Sequence, residues 1–162
     1  MATPTTLPAT AVAGDILTAA YVNDLRGAFR ILNVTTAVGT ASQGSTSATF
    51  ADITGLSITI TPQSNTNKIL IVSTNALFAS ANAADAGIRF VRGATTIFTS
   101  IPLYALANNG ATCTSIFLDS PATTSATTYK VQFNQSAGTG TVISNLNYPN
   151  SLSTLLVMEI SA

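Results

Sequence analysis

The stretch Leu56-Ser57-Ile58-Thr59-Ile60-Thr61 and its counterpart Tyr129-Lys130-Val131-Gln132-Phe133-Asn134 alternate apolar and polar side chains without a break. Successive side chains of a strand point to opposite faces, so each stretch reads as a β-strand with one buried and one wet face. Two other runs behave differently: Ile69-Leu70-Ile71-Val72 and Leu155-Leu156-Val157-Met158 are apolar on both faces. Such strands call for cover from both sides. In a two-layer sandwich their outer face would be bare, so a neighbouring subunit or the N-terminal helix is expected to lie over it.

The period of two runs from Asn33 to the end of the chain, with turn signals about every eight to twelve residues, as in a sandwich or jelly roll. Strands are expected at about 34–41, 47–51, 55–61, 68–78, 86–92, 95–101, 111–118, 127–135, 140–147 and 153–160, one or two of them not separate strands. Turns fall at Thr61-Pro62-Gln63-Ser64-Asn65, Arg92-Gly93-Ala94, Asn108-Asn109-Gly110 and Ala137-Gly138-Thr139-Gly140. Asn109-Gly110 is the strongest hairpin signal, because both residues tolerate the positive φ of a type I′ turn. The expected fold class is mainly β: an antiparallel β-sandwich, jelly-roll-like, of about eight or nine strands.

Ahead of this domain, residues 1–15 form an arm rich in Thr, Ala and Pro, with Pro4 and Pro8 blocking regular helix. The arm has too few apolar groups to fold alone and is expected to be held against a neighbouring chain. Residues 16–32 read as one short α-helix, with Asp15 or Thr18 as its cap. Leu17, Tyr21, Leu25, Phe29 and Leu32 recur at spacings of four and three and make one apolar stripe. The stripe either covers an edge of the domain, or meets its symmetry mates about a threefold axis or docks in a partner's groove, and the expected division is 1–32 for attachment and oligomerisation, 33–162 for the sandwich.

Composition narrows the function. The chain has no histidine, one glutamate (Glu159), one cysteine (Cys113) and 7% charged residues. Histidine and paired carboxylates are the usual groups for acid–base chemistry near neutrality, so an enzyme is not expected. Gly138-Thr139-Gly140 has no lysine after it and reads as a hairpin tip. Asp52, Asp85 and Asp119 are too scattered for a calcium loop, and neither metal nor cofactor is expected. Arg89 and Arg92 lie three apart on one strand, so they point to opposite faces as salt-bridge or interface residues.

Six basic and six acidic residues cancel and never cluster, which argues against nucleic acid as a partner. With so little charge, nothing repels a neighbouring copy, and much of the surface is expected to be covered in an assembly. Neither a secretory leader nor a run long enough to cross a bilayer is visible, so no membrane role is expected and synthesis is assigned to the cytoplasm of the producing cell. Cys113, flanked by Ala, Thr and Ser, reads as an inert strand residue.

Several segments carry a resemblance when taken together: Thr46-Ser47-Ala48-Thr49-Phe50, Gly55 through Pro62, Lys68-Ile69-Leu70-Ile71, Leu118-Asp119-Ser120-Pro121, Thr128-Tyr129-Lys130-Val131 and Leu156-Val157-Met158-Glu159-Ile160. They resemble a β-domain of virion surface proteins of tailed bacteriophages, both fibres and capsid-decorating proteins. The start, Ala13 through Leu25, is similar to the N-terminal attachment segments of such proteins. The resemblance implies a homotrimer with a β-rich head, placed on the virion surface and attached through its N-terminal region. The expected function is therefore a capsid decoration, or cement, protein bound to the major capsid protein or another virion protein. The alternative is a short tail or head fibre that meets a host receptor.

Overall fold

The computed structural model describes residues 30–39, 41–80, 83–105, 107–145 and 152–161. Ten strands lie in these residues: β1 (Ile31–Val38), β2 (Gln43–Ser45), β3 (Ala51–Ile60), β4 (Lys68–Ala79), β5 (Ala84–Arg92), β6 (Thr95–Ala105), β7 (Asn109–Asp119), β8 (Thr127–Gly138), β9 (Val142–Ser144) and β10 (Thr154–Ile160). All but β2 and β9 are long. The long strands divide into two four-stranded layers, which we call sheet A, β1-β10-β4-β7, and sheet B, β3-β8-β5-β6. Short strands β9 and β2 continue sheet A beside the far end of β4.

The pairing is nested. Among the long strands the first pairs with the last (β1 with β10), and β3 pairs with β8, β4 with β7, and β5 with β6, all antiparallel. That is one long hairpin rolled over on itself, the jelly-roll topology expected from the strand pattern.

Alternation drives the two sheets together. Ile53, Leu56, Ile58 and Ile60 of β3 are buried while Ser57 and Thr59 between them are exposed. Val131 and Phe133 of β8 meet Ile69 and Ile71 of β4 and Leu155 and Val157 of β10 in the same core. Burying each such side chain stabilises the fold by about 1.5–3 kcal/mol. The aromatic series Phe90, Phe98 and Phe117, with ring centroids 5.1 and 5.7 Å apart, carries the core from sheet B into sheet A. Gly55, at φ 91°, sits in a bulge of β3 where an added Cβ would lie 2.6 Å from the Val38 carbonyl oxygen. Only glycine permits that approach of the two sheets.

Several expectations need correction. The described residues contain no helix, and the helix read over 16–32 lies outside them except for its last residues. There, Ile31 and Leu32 are strand: they open β1 beside β10, because ladder hydrogen bonds outweigh the helical spacing of one leucine. Asn109-Gly110 is not a hairpin turn. Those residues open β7, opposite Ala79 and Phe78 of β4, and the chain bends one step earlier, with Asn108 at φ 55°. Gly110 is instead required by packing, since a Cβ there would lie 2.9 Å from the Leu77 carbonyl oxygen. The strand expected at 47–51 is replaced by β2 at Gln43–Ser45, and the one at 140–147 shortens to Val142–Ser144.

Candidate functional site

The registers of sheet A place an apolar band on its outward face. Ile69, Ile71, Leu155 and Val157 point inward and are buried, so their sequence neighbours point out. One row across the four strands is Val34, Met158, Leu70 and Leu118. The next row is Thr36, Leu156, Val72 and Ile116. Seven of these eight side chains are apolar, and at the edges they are open to solvent: Val34 54%, Leu118 54% and Ile116 61%. The central four are half-buried.

Beyond the two rows the face is mixed: Ile31 and Ile160 share one end with Lys68, and Val38 shares the other with Thr154 and Thr74. At one end Lys68 donates through Nζ to Ser120 Oγ at 2.8 Å. At the other, Thr154 pairs with Thr74, whose hydroxyl lies 3.1 Å from that of Thr114. A contiguous apolar area of this kind is a candidate interaction surface.

The outward face of sheet B is the opposite in character. Asp52 pairs in register with Gln132, and Gln132 with Arg89. Their side chains form a chain of contacts: Arg89 Nε donates to Gln132 Oε1 at 2.6 Å, Gln132 Nε2 donates to Asp52 Oδ1 at 2.5 Å, and Lys130 Nζ donates to Asp52 Oδ2 at 2.8 Å. The Arg89 guanidinium also stacks 4.4 Å from the centre of the Phe50 ring. The hydrogen bond from Lys130 holds the Asp52 carboxyl below the usual carboxylate range. This face is wet by construction.

Arg89 and Arg92 do point to opposite faces. Arg92 turns into the end of the sandwich, where Nη1 bridges both carboxylate oxygens of Asp119 at 2.9 Å. The Tyr129 hydroxyl donates to Asp119 Oδ2 at 2.7 Å. Burial first, then the Asp119 contact, pushes the Tyr129 phenol well above its ordinary range. Glu159, fully buried, faces the same layer, since Ile69 pairs with both Glu159 and Asp119. Its Oε1 accepts from the Gln63 backbone N–H and from Asn67 Nδ2, both at 2.6 Å, tying the β3–β4 turn to β10.

Of the residues expected at an interface, Leu17, Tyr21, Leu25 and Phe29 lie outside the described residues. Leu32 is half-buried in β1. The two doubly apolar runs supply the centre of the band, as their pattern implied. Val34, Ile116 and Leu118 escaped the sequence reading, although Ile116-Phe117-Leu118 carries the same signal of apolar residues on both faces. Cys113 is half-buried in β7, and burial raises its thiol pKa. Among the described residues no three His, Cys, Asp or Glu side chains come together.

No protein-family model matches the chain, and no curated protein sequence matches it. Solved structures that it resembles include the particle of infectious bursal disease virus strain Gx, at 14% identity and a TM-score of 0.43, covering 80% of this chain and 36% of that one. The VP2 subviral particle of the same virus matches at 17% identity and a TM-score of 0.42, covering 80% of this chain and 38% of that one. The chain thus spans little more than a third of the length of these viral proteins.

Proposed function

We propose that the chain is a non-enzymatic virion structural protein: a homotrimeric capsid decoration, or cement, protein that binds the outer capsid surface and stabilises the shell. The observation that carries this reading is the contrast between the two outward faces of the jelly roll. Sheet A has an apolar side that needs cover, and the N-terminal region enters the fold at the edge of that side. Sheet B has a charged and hydrogen-bonded side suited to water. The molecule therefore has an attached side and a solvent side. The tailed-bacteriophage assignment, the trimer and attachment through residues 1–32 rest on the sequence resemblance.

In this reading the trimer links three weak attachments into one strong one through effective concentration, and clamps adjacent capsid subunits against internal pressure. A short tail or head fibre is the second reading, favoured by the polar outward face of sheet B, which would then meet a receptor. Two measurements test the proposal. Light scattering on the purified chain should give about three times its 16.5 kDa mass, as multivalent attachment requires. Its copy number in particles should match the positions of the capsid shell. A clean monomer overturns the trimer, and a copy number matching a few tail positions selects the fibre.

A further inference from the structure

We propose that the outer edge of β7 is a pairing surface for the β7 of a second copy, the two strands running antiparallel about a twofold axis perpendicular to sheet A. The inference goes beyond the virion reading and rests on it only for where the contact acts.

Hydrogen-bond parity aims part of the β7 backbone away from the fold. Ala76 O accepts from Asn145 N at 3.0 Å and Ala76 N donates to Ser153 Oγ at 3.0 Å, so the backbone groups of Ala76 face β9 and β10. Successive residues of a strand alternate sides, so Asn75 and every second residue from it along β4 turn to β7. Their register partners on β7, Cys113 among them, turn back to β4. Gly110, Thr112, Thr114, Ile116 and Leu118 therefore direct their N–H and C=O groups outward, and all five are exposed. Among the described residues no strand pairs with that side of β7. One of these groups is served by a side chain next to it, since Asn109 Oδ1 accepts from Gly110 N at 2.9 Å.

The outer strands of the two sheets treat their edges differently. Proline, charge and bulges are what keep an edge from pairing with another chain. β6 contains Pro102, which has no N–H to offer. β3 carries Asp52 and a register shift between Asp52 and Ser57, and β1 a shift between Ile31 and Asn33. By contrast, β7 runs for eleven residues in unbroken register with β4, and Asn109 to Leu118 contains neither proline nor charge. Its last residue, Asp119, turns inward to Arg92.

The edge also fits itself. A twofold axis perpendicular to the sheet makes two copies of β7 antiparallel. With the axis at Thr114, the middle of the strand, Thr114 meets its own copy, Ile116 meets the second copy's Thr112, and Leu118 meets the second copy's Gly110. Each large side chain then opposes a small one, and no like charges face each other. The five pairs exchange about eight hydrogen bonds, with the Gly110 N–H already held by Asn109. Ile116 and Leu118, whose backbone groups turn to the edge, also carry outward side chains of the apolar band, so pairing keeps both bands on one side and both wet faces on the other. A threefold contact joins unlike patches, so β7 meeting β7 links one trimer to the next. Such an edge contact buries less than the roughly 1,000 Å² of a stable interface, so it is weak between free molecules and gains strength where many copies share one particle.

The test uses the full-length chain carrying Cys113→Ser, with Thr114→Cys in one variant and Ile116→Cys in another. Directly opposed residues of a hydrogen-bonded pair have Cα atoms about 5.5 Å apart, within the limit of about 7 Å for a disulfide. In the same register Ile116 lies about 14 Å from its own copy. Mild oxidation is carried out over a concentration series up to about 1 mM, the effective concentration that short tethers supply, and followed by electrophoresis without reductant. The expected result is a two-chain species from Thr114→Cys that forms at least about tenfold faster than from Ile116→Cys. Equal rates in the two variants overturn the proposal, and so does the lack of a link in both.

A second measurement guards against a cysteine variant that fails to fold. Thr114→Lys sets two ammonium groups across the axis at an exposed position. With the β-sheet circular dichroism unchanged, the light-scattering mass of the wild-type chain should double as concentration rises, and the variant should need about fivefold more protein to reach the same mass. A wild-type mass that stays constant up to about 1 mM overturns the proposal, as does equal growth in the variant. The trimer is read separately, at the dilute end of the series. A monomer there that still doubles through Thr114 overturns the trimer and leaves the edge contact standing.

Discussion

Arg92 on β5 holds Asp119 on β7 through two 2.9 Å contacts from a single guanidinium nitrogen, joining sheet B to sheet A at the end of the sandwich. Tyr129 completes the carboxylate's shell. Removing one partner leaves the other charge buried, which for a fully buried pair costs about 3–5 kcal/mol. Because the Arg92 side chain is 30% exposed, Arg92→Met should cost less, about 2–3 kcal/mol in chemical denaturation. Arg92→Lys should recover most of it, since one nitrogen makes both contacts and an ammonium carries the same charge and donors.

The same cluster sets an alkaline limit. The folded chain raises the Tyr129 pKa, so the folded state keeps its proton where the unfolded state loses it. Stability from this group is full below the ordinary tyrosine pKa of about 10 and falls as pH rises above it, by up to about 1.4 kcal/mol per pH unit. Tyr129→Phe should cost about 1 kcal/mol at pH 7 and flatten the stability profile above pH 10 or so. A wild-type profile as flat as that of the variant would show that the phenol does not carry the limit.

Glu159 offers a cleaner separation of charge from hydrogen bonding. Its Oε1 serves two donors, while Oε2 is buried with no hydrogen-bond partner. Glu159→Gln keeps the acceptor and should change stability by less than about 1 kcal/mol, whereas Glu159→Ala, which strands both donors, should cost about 3 kcal/mol or more. Equal losses in the two variants would assign the effect to the charge instead.

Deleting residues 2–15 should leave the β-domain folded, with a nearly unchanged melting temperature, because so polar an arm adds no core. The truncated chain should be lost from virions. Wild-type occupancy on particles lacking the native copy would make the β-domain itself the attachment surface and reverse the orientation proposed above.

The sequence by itself determined that this is a β-sandwich and that the β4 and β10 segments are apolar on both faces. Both conclusions follow from a local property, the period-two alternation in Leu56–Ile60 and Tyr129–Phe133 and its loss in Ile69–Val72 and Leu155–Met158. It also indicated that Arg89 and Arg92 part company across the sheet. What it did not determine is which strands stand side by side. Val34, Ile116 and Leu118 join the band only because β1 and β7 flank the β10–β4 pair, a consequence of nested pairing between distant segments. Asn109-Gly110 misled for the same reason: its local preference for a hairpin yielded to a β7 that pairs with β4 rather than with β6. Turn propensity is worth about 1 kcal/mol at such a site, while the long β4–β7 ladder and the core beneath it are worth many times that. Where local preference and long-range burial disagree, burial decides, and the apolar band of sheet A is a product of the strand order that burial selects.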